Sequence, residues 1–177
     1  AYDGKATYYI IDEEDPLIDV YDSIYPGIFT REELPGFVKE HMKYPENLFE
    51  LQTEMLKKYH LTPEEVDAFY SQQDLWDIAK YPADKNAGST VDIDSYYVTI
   101  KLPGVADETE LVLIRPFTPK STERHNMVAW LNVRNSFENY GELILYKYPK
   151  NVNLLGPNQI EVKINQIDSV SKNMTLW

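Results

Sequence analysis

Tyr96-Tyr97-Val98-Thr99-Ile100-Lys101-Leu102 puts Tyr96, Val98, Ile100 and Leu102 on one side of an extended chain and Tyr97, Thr99 and Lys101 on the other. That period of two marks a β-strand. Three more β-rich runs follow, Glu110–Arg115, Met127–Arg134 and Glu142–Tyr148, separated by turn-rich segments. Four strands at short spacing predict an antiparallel meander. Beyond them, Gly156-Pro157 can open a helix through Ile164, but Ile160, Val162 and Ile164 also alternate as a strand would, so both readings stay open.

Upstream of Tyr96 the period changes. Asp15 before Pro16 supplies an N-cap and a first-turn proline, and Leu17, Val20, Tyr21 and Ile24 recur at helical spacing until Pro26-Gly27. From Pro45 to Tyr59 an amphipathic helix of about four turns is expected, with Leu48, Leu51, Met55 and Tyr59 as its apolar stripe. Thr30-Arg31-Glu32-Glu33 and Thr62-Pro63-Glu64-Glu65 both have capping-box form. Residues 5–12 read as an opening strand. The expected architecture is α+β, an acidic N-terminal helical subdomain at about 13–82 packed on an antiparallel β-meander at about 95–177. Residues 83–94 lack periodicity and are expected to form a mobile linker, and strand 5–12 is a candidate to join the sheet.

With 177 residues, 43% of them hydrophobic, the chain can bury a core as one domain or one domain with a subdomain. No apolar run approaches the roughly 18 residues needed to cross a bilayer. The absence of cysteine excludes disulfides, thiolate nucleophiles and Cys-ligated metal sites. The net charge of −12 belongs to one half: residues 1–94 carry 21 acidic and 8 basic side chains, residues 95–177 carry 8 and 9. Such a surface repels phosphate backbones and anionic headgroups, which argues against nucleic acid as a partner.

Candidate sites are few. Asp12, Glu13, Glu14 and Asp15 are the densest oxygen donors, the kind a calcium ion requires, although no EF-hand spacing is present and helix capping is the ordinary explanation. Lys120, Arg124, His125 and Asn126 collect positive charge and donors in one inter-strand loop, suited to a phosphate or carboxylate. Pro116-Phe117-Thr118-Pro119 explains that loop equally well as a fixed turn. His41 and His60 lie near expected helix C-termini, where capping and packing are the usual roles. The 14 tyrosines and three tryptophans are core candidates first; aromatic platforms for glycans or peptides would require exposure, to be checked at Trp76 and Trp177. No nucleophile elbow, phosphate-cradling glycine loop or nucleotide fingerprint occurs, so the sequence makes no case for an enzyme and implies no catalytic residue and no cofactor.

The run Pro116-Phe117-Thr118-Pro119-Lys120-Ser121-Thr122-Glu123-Arg124-His125-Asn126-Met127-Val128-Ala129-Trp130-Leu131, with Asn139-Tyr140-Gly141-Glu142 and Leu143 to Pro149, resembles uncharacterised protein family 0182. Further landmarks stand in the family's order: Ala1-Tyr2-Asp3-Gly4, Thr7-Tyr8-Tyr9, Tyr25-Pro26-Gly27, Tyr44-Pro45-Glu46-Asn47-Leu48-Phe49, Gln52 and Gly156 to Glu161. His125 replaces a more frequent Asn, and Ile167-Asp168-Ser169 a common Gln-Asp-Pro. The resemblance implies an internal piece of a large bacterial multi-pass membrane protein, from a long part outside the cytoplasm, whose partner is the remainder of that protein and whose membrane attachment lies in other segments. It implies no known activity. Two functions follow as expectations. A non-catalytic interaction or structural module would show a sizeable exposed apolar patch. An extracytoplasmic enzyme or binding domain for a cell-envelope glycan or peptide would need a recess where acidic groups, aromatics and the Arg124–His125 loop converge.

Overall fold

The computed structural model describes residues 3–82, 90–120 and 125–175, and the chain divides into two compact units, residues 1–42 and 43–177. The first unit contains β1 (Tyr8–Tyr9), α1 (Pro16–Ile24), β2 (Phe29–Thr30) and the single turn α2 (Gly36–Lys39). The opening strand pairs in parallel with β2, Tyr8 opposite Phe29, and not with the larger sheet. Asp15 caps α1 as expected, its Oδ1 accepting from Leu17 N at 2.9 Å. No described residue of this unit is buried. Leu17, Val20, Tyr21 and Ile24, the apolar stripe of α1, are each at least half exposed.

The second unit begins with α3 (Glu46–Tyr59), a 3-10 turn at Pro63–Glu65 and α4 (Val66–Tyr70), followed by β3 (Trp76–Ile78), β4 (Lys80–Pro82) and β5 (Thr90–Asp92). Then come β6 (Tyr96–Lys101), β7 (Thr109–Pro119), β8 (Ala129–Arg134), β9 (Leu143–Lys147), α5 (Pro157–Asn165) and α6 (Asp168–Thr175). The expected capping box at Thr62 forms, with the Thr62 N–H donating to Glu65 Oε2 at 3.2 Å. Strands β6 to β9 pair sequentially and antiparallel, which is the expected meander. β7 is long enough to hold two partners on one edge: its first part pairs with β6, and Phe117 to Pro119 pair with β3. Residues 76–78, expected within the helical part, therefore form a fifth strand.

Residues 90–92, expected in the linker, form a hairpin with β4; residues 83–89 lie outside the described residues. The open choice at 157–164 resolves as helix. Proline at its first position and the Gly156 N–H donating to Gln159 Oε1 at 3.0 Å start it.

The alternation of the strands builds two cores. On one face Trp76, Ile78, Leu113, Phe117, Ala129, Leu131 and Val133 pack with Tyr44 and Phe49; on the other Leu102, Val112 and Ile114 pack with Val98, Ile100, Trp130, Ile144 and Tyr146. Each fully buried Phe, Leu or Val contributes about 1.5–3 kcal/mol. α3 corrects the expectation made for it. Its buried face carries Phe49, Thr53 and Leu56, whereas Leu48, Leu51, Met55 and Tyr59 point outward at 44–65% exposure. Both sets have helical spacing, and the sheet takes the one with phenylalanine. Thr53 fits there because its hydroxyl accepts from buried Arg115 Nη1 at 3.0 Å, while Arg115 Nε donates to the Ile93 carbonyl at 3.0 Å.

Candidate functional site

The C-terminal end of β7 lies between two recesses. One, of about 410 Å³, is bounded by Asp74 and Trp76, by Asn126 to Val128, and by the segment Lys147–Asn153 that leaves β9. The other, of about 490 Å³, is lined by Asp77, Lys80, Lys120 and His125. The four expected loop residues are thus separated. Lys120 and His125 face the larger recess, Asn126 the smaller, and Arg124 lies outside the described residues. Lys120 is positioned by its own N–H, which donates to the Leu75 carbonyl at 2.8 Å and extends the β3–β7 ladder.

Each recess holds ion pairs. Of the residues lining the larger one, Asp77 pairs with Lys57 at 3.0 Å and with Lys80 at 3.3 Å; Lys57 also reaches Glu54 at 3.0 Å and Lys80 reaches Asp92 at 3.6 Å. Partial burial pushes the Asp77 carboxyl up, but the two ammoniums prevail and hold it below its ordinary range. In the smaller one Lys150 Nζ meets Asp74 Oδ2 at 2.8 Å and Lys147 Nζ lies 3.7 Å from Glu65 Oε2. The Asp74 carboxylate raises Lys150, and the Thr62 N–H followed by Lys147 lowers Glu65.

His60 stacks on Trp76, which lines the smaller recess, with ring centroids 3.6 Å apart, and Lys147 Nζ lies over the Trp76 ring at 5.8 Å. Trp76 is buried, so it is floor and not platform. His60 Nδ1 lies 2.8 Å from the Leu56 carbonyl, the helix-end role expected of it, and His41 Nδ1 repeats the contact with Phe37 O at 2.7 Å. Burial lowers the His60 pKa, prevailing over the Leu56 carbonyl and Asp74, which favour the imidazolium. Asp74 has φ 62° and Gln72 φ 54°, left-handed positions that Asp tolerates through local hydrogen bonding better than most side chains.

The acidic run is organised as turns. Asp12 Oδ1 accepts from the Glu14 N–H at 2.9 Å, Asp15 caps α1, and Glu13 and Glu14 project into solvent. Among the described residues no three histidine or acidic side chains stand where they could hold one ion.

With this geometry in place, the whole chain, residues 1–177, matches the model of the Uncharacterised protein family (UPF0182). The chain belongs to UPF0182. It is 42% identical over 178 residues to a UPF0182 protein of Caldicellulosiruptor saccharolyticus, covering all of this chain and 19% of that relative. It is 42% identical over 181 residues to one of Desulfitobacterium hafniense and 39% identical over 178 residues to one of Microcystis aeruginosa, again over all of this chain and 18% of each relative. The sequence thus spans about a fifth of the length of the UPF0182 proteins it matches. No solved structure matches it. The residues of this UPF0182 segment that sequence reading passed over are Asp74, Lys147 and Lys150. For the two lysines the signal was the run Lys147-Tyr148-Pro149-Lys150-Asn151-Val152-Asn153, dense in lysine and asparagine where a strand ends.

Proposed function

We propose that this chain is a non-catalytic interaction or structural module in the extracytoplasmic part of a multi-pass membrane protein, and that its partner is the remainder of the same polypeptide. The observation that carries this reading is the outward stripe Leu48, Leu51, Met55 and Tyr59 of α3. Such a stripe on a helix whose other face is already packed is a contact surface in search of a cover. Relatives about five times longer than this chain contain the polypeptide that would provide it. No helix of the described residues is long and apolar enough to cross a membrane, so on this reading attachment comes from other segments.

The test uses the lack of native cysteine in this chain. Met55→Cys is expected to react rapidly with a maleimide in the isolated chain and at least about tenfold more slowly in the whole protein, as a contact worth about 1.4 kcal/mol would require. Equal rates in both settings refute the docking surface. Asp107 is fully exposed, and Asp107→Cys in the whole protein is expected to take a membrane-impermeant maleimide in intact cells. Labelling only after permeabilisation refutes the extracytoplasmic placement.

A further inference from the structure

We propose that the recess between Asp74, Asn126 and the Lys147–Asn153 segment is a binding site for a neutral oligosaccharide. The site lies apart from the α3 stripe in sequence and goes beyond the module reading, so either can fail alone. Lys150 is paired with Asp74 at 2.8 Å and Lys147 faces Glu65 at 3.7 Å, so the two cations are matched by two carboxylates. A phosphate or carboxylate ligand would find the Asp74 and Glu65 carboxylates already beside both ammoniums, and their repulsion offsets what it gains from the lysines.

What remains uncommitted is neutral and polar. Asn126, Asn151 and Asn153 line the recess, and no hydrogen bond within the described residues uses their carboxamides. Each carboxamide offers both donors and an acceptor, as hydroxyl groups require. The half-buried Tyr148 adds an aromatic ring and a hydroxyl that is likewise without a partner among the described residues, and exposed Val152 adds apolar surface. A pyranose presents these two requirements together, an apolar ring face and a rim of hydroxyls. The volume of about 410 Å³ falls within the range of small-molecule sites. The charged termini of a peptide would find the charges of the recess already matched.

The experiment is nuclear magnetic resonance titration of the isotope-labelled 177-residue chain with cellotriose, maltotriose and tri-N-acetylchitotriose, each to about 10 mM, with trigalacturonate, inorganic phosphate and a doubly capped tripeptide as comparisons. The expected result is saturable shifts at residues 126–128 and 147–153 with at least one neutral trisaccharide. Asn126→Ala and Asn151→Ala should each weaken it about three- to tenfold, the worth of one hydrogen bond, while Leu51→Glu leaves it unchanged. Well-dispersed spectra verify that each variant is folded. The proposal is overturned if no neutral trisaccharide produces saturable shifts there, if only the anions or the peptide do, or if the asparagine variants bind as the parent does.

Discussion

Gly156 gives the sharpest test of the packing around the recess. Its φ of −76° is open to any residue, so backbone conformation does not require glycine. Space does. A Cβ at this position would overlap the His125 carbonyl oxygen, would lie 3.0 Å from the carbonyl carbon behind it, and would reach 3.6 Å from Met127 N. The obstacle is backbone on both sides, and the Met127 N–H donates to the Leu154 carbonyl at 3.1 Å, holding the two strands of chain together. Gly156→Ala must therefore part residues 125–127 from the start of α5 by on the order of 1 Å or more. Overpacking of this kind costs about 1–3 kcal/mol, and loss of the Met127–Leu154 hydrogen bond adds about 1 kcal/mol.

A total of about 2–4 kcal/mol lowers the Tm of a chain this size by about 5–15 °C, measured by circular dichroism. Two companions separate cause from coincidence. Gly36→Ala meets nothing within 4 Å at an ordinary φ and is expected to shift Tm by under about 2 °C. Gly104→Ala also meets nothing but has φ 72°, so it should cost about 1 kcal/mol from backbone strain alone. If Gly156→Ala melts with Gly36→Ala, the close approach of α5 to His125 is wrong.

Two further predictions concern pH. His60 has its folded-state pKa depressed below 6.5 by burial, so the unfolded state binds the proton more readily. Stability is then complete above pH 6.5 and falls as the pH drops below it, and His60→Phe, which keeps a ring on Trp76, should flatten that slope in urea titrations between pH 7 and about pH 5; an unchanged slope refutes the assignment. Asp77 is depressed below 3.8 because Lys57 and Lys80 outweigh its partial burial. Its contribution is present above pH 3.8 and is lost as the pH falls through the lowered folded value, so Asp77→Asn should destabilise the chain at pH 7 by up to about 1 kcal/mol and have less effect under strong acid. An equal effect at both pH values would show that charge is not the cause.

The elements legible in the sequence were those whose periodicity had one solution. Val98, Ile100 and Leu102 alternate with Tyr97 and join the core face opposite to its own, and α1 begins at its proline. Trp76–Ile78 was illegible because three residues carry no period; only the β7 edge beyond Ile114, which β6 leaves free, makes them a strand. In α3 two helical phases coexist, and choosing Phe49 over Leu48 depends on a sheet that local sequence does not contain. The recess was hidden for a similar reason. Asp74 and Lys150 are 76 positions apart, and their pairing follows from the fold of β3 beside β7 and the return of the chain after β9.

The size of the α3 stripe bears on which partner it suits. Its four side chains are roughly half exposed, and covering what remains would yield about 3–7 kcal/mol. A separate protein binding there would first lose translational and rotational freedom costing about 4–15 kcal/mol, which leaves little or nothing. A segment of the same polypeptide incurs much less of that loss, because a covalent link supplies an effective concentration in the millimolar range. A stripe of this size favours the tethered partner of the proposed module over a free one. Leu51→Glu sharpens the distinction: outward-facing in this chain, it should leave the isolated fold within about 0.5 kcal/mol while lowering the stability of the whole protein by at least the about 1 kcal/mol that covering the exposed part of this leucine contributes. A loss of that size in the isolated chain would place Leu51 in its own core and end the argument for a docking face.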